Sequence, residues 1–199
     1  MTTIVGIQGE GFAVIGVDSQ VSAIDENGYS SQTSIMRTGT GKIAQVNKYL
    51  LGAAGDVRAI NLLHHAFHPP PPPMATGVTL DKFMTTKFIA ALRLCFDENG
   101  YTATETPTKQ HAEQNSTIVV VVNAVIYVFE NDYSWTAEDS GLYSIGSGAT
   151  YALGAMSVLQ KKNSTMTDCK KLALRGLATA SKWDAYTGSP FKIHIQEKT

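Results

Sequence analysis

The chain has 199 residues, a length that suits one domain, and 43% of its residues are hydrophobic against 17% charged, as in ordinary globular proteins. The 16 Lys and Arg residues nearly balance the 17 Asp and Glu residues, and this net charge of −1 argues against a nucleic-acid-binding surface. Two cysteines, Cys95 and Cys169, are too few for a disulfide framework and suit a reducing compartment. Because no targeting segment or apolar stretch of membrane-spanning length is found, the composition predicts a cytoplasmic protein without a membrane partner.

The first half of the chain is predicted to contain four strands and then two helices. The strands are Thr3–Ile7, Phe12–Val17, Lys42–Val46 and Tyr49–Ala54. The stretch from 19 to 41 is polar and rich in Ser, Thr and Gly, so it is expected to be a loop with an extended edge.

Capping and stop signals bound the two helices that follow. Asp56 is a suitable N-cap for the first helix, which must end before the five prolines of Pro69–Pro73. The second helix is expected to begin at Thr79 or Asp81 and to end at Asn99-Gly100.

The second half is predicted to hold a β-hairpin that turns at Asn123, then a strand, two helices and a last strand. Their predicted bounds are Thr117–Val122, Ala124–Phe129, Gly141–Ile145, Ala149–Gln160, Thr167–Lys182 and Phe191–Ile195. Two pairs of helices between strand-rich segments predict an α+β fold in which two stacked sheets are covered by helices, a four-layer αββα sandwich. We expect one domain over 1–199, with loop insertions around 22–40, 68–78 and 101–115.

Several segments resemble ligand-binding motifs but lack a required residue. The Gly39-Thr40-Gly41-Lys42 segment is not a phosphate loop, because Met36 and Ile43 stand where that loop needs Gly and Ser or Thr. The Gly146-Ser147-Gly148 segment matches neither a dinucleotide fingerprint nor a nucleophile elbow. His64 and His68 share a helix face, but no acidic or Cys ligand is close in sequence, so surface histidines are favoured over a metal site. We therefore expect no cofactor and no metal.

The N-terminus offers a nucleophile with its own base. Removal of Met1 by an aminopeptidase would leave Thr2 as the first residue, with its hydroxyl beside a free α-amine of near-neutral pKa. Met-Thr-Thr is also a common way for a sequence to begin, so these residues alone do not identify Thr2 as a nucleophile.

Six short segments favour the interpretation of Thr2 as a nucleophile. In their sequences and in their order along the chain, they resemble the proteasome β-subunit and its bacterial relative, the HslV peptidase. These segments are Thr2-Thr3-Ile4-Val5-Gly6, Gly16-Val17-Asp18, Gly41-Lys42-Ile43, Gly52-Ala53-Ala54-Gly55-Asp56, Ile145-Gly146-Ser147-Gly148 and Asp184-Ala185-Tyr186-Thr187-Gly188. The resemblance runs from Thr2 to about Phe191 and implies the fold of the N-terminal-nucleophile hydrolases.

The resemblance also implies catalytic roles. Thr2 would be the nucleophile and its amine the general base, while Asp18 and Lys42 would form a buried ion pair that favours the deprotonated nucleophile. Gly52 would donate its backbone N–H to the oxyanion hole. Taken alone, Lys42 would be interpreted as a solvated lysine at a strand end, and Gly52 as a strand-end glycine.

Three further residues match the group that surrounds the Thr2 amine in the family. They are Ser147, Asp184 and Thr187, the last of which is usually Ser in the proteasome. Without the resemblance, Ser147 and Asp184 would be ordinary helix-cap or turn residues.

The main specificity pocket of the family maps onto small or apolar residues, which predicts cleavage after apolar side chains. The matching residues are Val21, Thr40, Ala44, Leu50 and Ala54. An extended substrate would pair as an added strand between Ser22 and the Gly52-Ala53 edge.

The resemblance implies a threonine peptidase subunit, acting on polypeptides through an acyl-enzyme in a ring-shaped homo-oligomer, with an ATP-dependent unfoldase as a partner for folded substrates. Two other functions fit the same fold. One is a catalytically silent structural subunit that keeps Met1, and the other is a small-molecule amidohydrolase of the same superfamily.

Overall fold

A computed structural model of the protein describes residues 2–24, 30–36, 41–101 and 115–198. The strands in this part of the chain are β1 (Thr3–Gly9), β2 (Phe12–Val17), β3 (Gln20–Ile24), β4 (Ser30–Ile35), β5 (Ile43–Val46), β6 (Tyr49–Gly55), β7 (Ser116–Val122), β8 (Val125–Phe129), β9 (Trp135–Thr136), β10 (Leu142–Gly146) and β11 (Lys192–Glu197). The helices are α1 (Val57–His65), α2 (Val78–Phe83), α3 (Ile89–Glu98), α4 (Ala149–Leu159) and α5 (Met166–Trp183), and a π-helical segment (Met84–Phe88) joins α2 to α3.

Two antiparallel sheets form the middle of the fold. In one sheet the strand order is β10-β1-β2-β11, and in the other it is β5-β6-β7-β8-β9. Both faces of the central strands are apolar because each sheet is covered on both sides. In β1, for example, Ile4 faces the opposite sheet and its neighbour Val5 faces the helices.

Three separate hydrophobic cores define four layers. One core lies between α1–α3 and the five-stranded sheet, and includes Leu63, Phe88 and Phe129. The second lies between the two sheets, and the third lies between the four-stranded sheet and α4–α5. The predicted αββα order of layers is therefore observed.

The polar stretch after Asp18 differs from its predicted loop. Gln20–Ile24 pairs with Ser30–Ile35 as a separate two-stranded antiparallel sheet. Val21 favours extended backbone, but Ser, Thr and Gln dominate the stretch, and no strong alternation of apolar and polar residues marks it as a strand. The strand β9 was not predicted because two residues carry no periodic pattern.

Local signals explain where the helices begin and end. The Asp56 side chain accepts a hydrogen bond from the Arg58 N–H and caps α1. A reciprocal capping box between Thr165 and Asp168 begins α5. The prolines follow α1 and Asn99 ends α3, as expected.

Candidate active site

A buried ion pair joins the ends of two segments from different sheets. Asp18 follows β2, Lys42 precedes β5, and Lys42 Nζ lies 2.6 Å from Asp18 Oδ1. Both side chains are at most 1% exposed. Lys42 is therefore not a solvated strand-end lysine, and removing either partner would leave an uncompensated buried charge.

The Asp18 carboxylate also organises the backbone around it. Its Oδ1 accepts the backbone N–H of Thr3 at 2.9 Å, in addition to Lys42. Its Oδ2 accepts the N–H groups of Gln20 at 3.0 Å and of Gly188 at 3.2 Å. Four donors from four parts of the chain thus fix one carboxylate, and the carboxylate fixes the residue that follows Thr2.

Two opposing effects act on the Lys42 ammonium. Burial disfavours the charged form and lowers the pKa of Lys42, while the Asp18 carboxylate partly opposes this shift by charge and by hydrogen bonding. Asp184 contributes a smaller effect in the same direction as Asp18.

Thr2 is buried, with 3% of its surface exposed, and its backbone is held from β10. Its carbonyl oxygen accepts the N–H of Ser147 at 3.0 Å. Gly146 passes so close to this carbonyl, with φ of +95°, that a Cβ atom at position 146 would overlap it. Glycine is therefore required beside Thr2 both for the backbone conformation and for space.

Ser147 and Thr187 both point their hydroxyl groups at Asp184. Ser147 Oγ donates to Asp184 Oδ2 at 2.8 Å, and Thr187 Oγ1 donates to the same oxygen at 2.5 Å. Asp184 lies directly after α5, and α4 begins after Gly148 without a side-chain cap. The Ser147 side chain is therefore used by Asp184 and not by the helix terminus.

Thr3 also belongs to this cluster, which the sequence did not indicate. Its Oγ1 lies 2.6 Å from Thr187 Oγ1 and accepts the N–H of Gly148 at 3.0 Å. The only sequence signal is that Thr3 follows Thr2, and a threonine in a strand is too common to attract notice.

Gly52 lies in the middle of β6 and not at a strand end. It pairs with Ile43 on one side, the residue after Lys42, and with Val119 on the other. A Cβ at this position would approach Ile43 Cδ1, the end of a flexible side chain, to 2.5 Å, so a larger residue would require Ile43 to shift.

The residues predicted to line the specificity pocket are distributed over different surfaces. Leu50 and Ala54 pack between the two sheets, and Ala44 packs on the other face, towards α1–α3. Val21 lies on β3, where it is half-buried. Ser22 beside it is buried and accepts a hydrogen bond from Gln20 Nε2. Thr40 is outside the described residues.

His64 is a second residue whose contact the sequence did not predict. It is half-buried, and its Nε2 donates to the carbonyl oxygen of Gly41 at 2.6 Å. His65 and His68 are exposed. Among the residues that the structure describes, no group of His, Cys, Asp or Glu is arranged to hold a metal ion.

A surface cavity of about 480 Å³ lies away from this cluster, at the far end of β1 and β2 and beside the α4–α5 loop. None of the predicted site residues lines it.

Within the described ranges, every helix is too short or too polar to cross a membrane.

Comparison with known proteins gives a family match and a fold match. A family model described as "Proteasome subunit" matches residues 108–195. No curated protein matches the chain.

Solved structures are similar over nearly the whole chain. The Thiobacillus denitrificans BPH, in complex with epoxomicin or without it, has a TM-score of 0.74 at 17% identity, covering 99% of this chain and 99% or 98% of that one. Eukaryotic HslV from Trypanosoma brucei has a TM-score of 0.61 at 17% identity, covering 98% of this chain and 99% of that one. The α+β fold predicted from the sequence is therefore confirmed.

Proposed function

We propose that this chain, whose family match and fold support the proteasome β-subunit and HslV-like family, is a threonine peptidase subunit with Thr2 as its nucleophile. One observation carries the proposal. Asp18 Oδ1 accepts both the Thr3 N–H and Lys42 Nζ, which fixes a buried ammonium next to the backbone of the residue after Thr2. Buried charge pairs contribute little net stability compared with well-packed apolar residues. The presence of this pair beside Thr2 therefore supports a chemical role and not only a structural one.

The reaction is an acyl transfer in two stages. With Met1 removed, Thr2 Oγ1 passes its proton to the α-amine and attacks the scissile carbonyl carbon. The C–N bond breaks, the leaving amine takes the proton, and an ester to Thr2 remains. Water then adds to the ester, the Thr2 hydroxyl regains its proton, and the product leaves as a carboxylic acid.

The surrounding residues divide the work of this reaction. The Lys42 charge stabilises the developing alkoxide on Thr2, and Asp18 orients Lys42. The Ser147 hydroxyl, whose proton is donated to Asp184, offers a lone pair to the Thr2 amine. The Gly52 N–H is the proposed donor to the oxyanion, a contribution worth about 3 kcal/mol in other enzymes.

We also propose that the subunit assembles with copies of itself into a ring. The support is α4, whose 11 residues carry no charge. The helix buries only Ala152 and Met156, while Tyr151 is 45% and Val158 is 84% exposed. An uncharged, partly apolar helix face is typical of a surface that is covered in an assembly. Folded substrates would then need an ATP-dependent unfoldase, and we expect this system to act in the cytoplasm.

A combined mass and activity measurement tests the function. The N-terminal residue is determined by intact mass, and hydrolysis of an apolar fluorogenic peptide is measured for wild type and Thr2→Ala. Thr167→Ala, which removes an exposed threonine on α5, is the matched control. We expect loss of Met1, turnover by the wild type and the control, and none by Thr2→Ala.

The other outcomes identify the alternatives. Retained Met1 and no turnover would indicate a silent structural subunit on the same fold. Hydrolysis of simple acyl amides but not of peptides would indicate an amidohydrolase. Equal peptide turnover by wild type and Thr2→Ala would exclude Thr2 as the nucleophile.

A further inference from the structure

The Thr3 hydroxyl is buried in the cluster beside Thr2, and its hydrogen-bond direction follows from its neighbours. A hydroxyl carries one proton and accepts through its oxygen, and a carboxylate oxygen can only accept. Thr187 gives its single proton to Asp184 Oδ2. In the contact between Thr3 Oγ1 and Thr187 Oγ1, at 2.6 Å, Thr3 must therefore be the donor.

The other side of the Thr3 hydroxyl is satisfied by the backbone. The Gly148 N–H donates to Thr3 Oγ1 at 3.0 Å. A directed chain of hydrogen bonds results, from Gly148 N–H to Thr3, from Thr3 to Thr187, and from Thr187 to Asp184. Space around it is tight, because a Cβ at position 148 would lie 2.5 Å from Thr3 Oγ1 and 2.6 Å from Thr187 Oγ1.

This direction separates the roles of the two hydroxyl groups bound to Asp184. Thr187 donates to Asp184 and accepts from Thr3. Ser147 also donates to Asp184, and its backbone N–H binds the Thr2 carbonyl, so Ser147 lies against Thr2. The Ser147 oxygen is thus the one suited to accept from the Thr2 amine.

We propose that Thr3 is a positioning residue of the peptidase site, whose hydroxyl holds Thr187 on Asp184 and so leaves Ser147 as the acceptor for the Thr2 amine. The inference rests on the proposed function and adds a residue to it. Thr3 itself does not touch the reacting atoms. Its hydroxyl acts through Thr187 and Asp184, while its N–H is held by Asp18.

Kinetics of Thr3→Val and Thr3→Ser test the positioning role. Valine keeps the shape of the side chain and removes the donor, whereas serine keeps the donor. With the apolar fluorogenic peptide, we expect Thr3→Val to lower kcat by about ten- to a hundred-fold and to leave KM within about twofold, because a buried acceptor loses its partner. Thr3→Ser should recover kcat to within about threefold of wild type, and Thr167→Val should not change it.

Thermal unfolding tests the hydrogen-bond chain without turnover. The melting temperatures of Thr3→Val, Thr187→Val and the double variant are measured on the full chain at one protein concentration. We expect the two shifts to be clearly non-additive, because both substitutions interrupt the same chain. Additive shifts would overturn the chain, and wild-type kcat in Thr3→Val, or a Thr3→Ser variant as slow as Thr3→Val, would overturn the positioning role.

The two measurements also separate this inference from the proposed function. Turnover that depends on Thr2, together with additive shifts, would refute only the role of Thr3. Non-additive shifts without any wild-type turnover would refute the peptidase function and the positioning role, and would leave the hydrogen-bond chain as a structural feature.

Discussion

His64 Nε2 donates a 2.6 Å hydrogen bond to the carbonyl oxygen of Gly41, the residue directly before Lys42. Helix α1 is thereby tied to the backbone that presents the buried lysine. We expect His64→Leu to lower kcat about tenfold, because loss of a partly buried hydrogen bond worth about 1–1.5 kcal/mol frees the segment that carries Lys42. His64→Gln, which can still donate, should retain most of the activity.

The neighbouring histidine provides the control for this test. His65 is exposed on the same helix, and His65→Leu should have wild-type kinetics. If His64→Leu and His65→Leu are equally active in the peptide assay, the bond to Gly41 does not position Lys42.

Lys42 is predicted to matter for stability as well as for turnover. Lys42→Met should abolish peptide hydrolysis and should lower the free energy of unfolding by about 3–5 kcal/mol, because it leaves the Asp18 carboxylate buried without its cation. Urea titration measures the change. The control Lys48→Met replaces an exposed lysine in the β5–β6 turn and should stay within about 0.5 kcal/mol of wild type.

Gly146 should tolerate no side chain. Gly146→Ala places a Cβ onto the Thr2 carbonyl and strains a backbone with φ of +95°, so we expect a loss of at least about 2 kcal/mol in unfolding free energy, together with loss of activity. Gly154→Ala is the opposite case, since a Cβ there meets open space on α4. It should stabilise the protein by about 0.5–1 kcal/mol. Similar melting temperatures for the two variants would contradict this interpretation.

His194 should make the protein less stable as the pH falls. Burial, then the charges of Lys192 and His64, lower the pKa of His194 on β11. Below the unfolded value of about 6.5, the unfolded chain binds a proton that the folded protein does not, so the free energy of unfolding decreases until the pH passes the lowered value. Wild type should therefore lose more stability between pH 7.5 and pH 5 than His194→Gln.

The exposed histidine His68 controls for the general effect of acid. His68→Gln should follow the wild-type curve of unfolding free energy against pH. Parallel curves for His194→Gln and wild type would show that His194 titrates alike in both states.

The sequence predicted most of the fold because its signals are local. Asp56 as a cap, the prolines after α1 and Asn99-Gly100 after α3 each indicate a boundary within a few residues. The β3–β4 hairpin was missed because the pairing of Val21 with Ser34 depends on the rest of the fold and not on a strong alternation in the sequence.

The candidate site could be predicted only through motifs. Asp18 and Lys42 are separated by 24 residues, and no periodicity relates them. The resemblance to a known family identified Asp18 and Lys42 as site residues. It gave no role to Thr3 or His64, whose contacts depend on distances in space. Side-chain positions of this kind follow from packing, which a single sequence does not encode in any local pattern.

The hydroxyl pair of Thr3 and Thr187 joins residues 184 positions apart, and Asp18 is bound by Gly188 across 170 positions. A nascent chain therefore contains the proposed nucleophile Thr2, together with Asp18 and Lys42, before it contains Asp184, Thr187 and Gly188. In the proposed peptidase, the order of synthesis would delay completion of the site until Asp184, Thr187 and Gly188 have been made and have folded back onto Thr3 and Asp18.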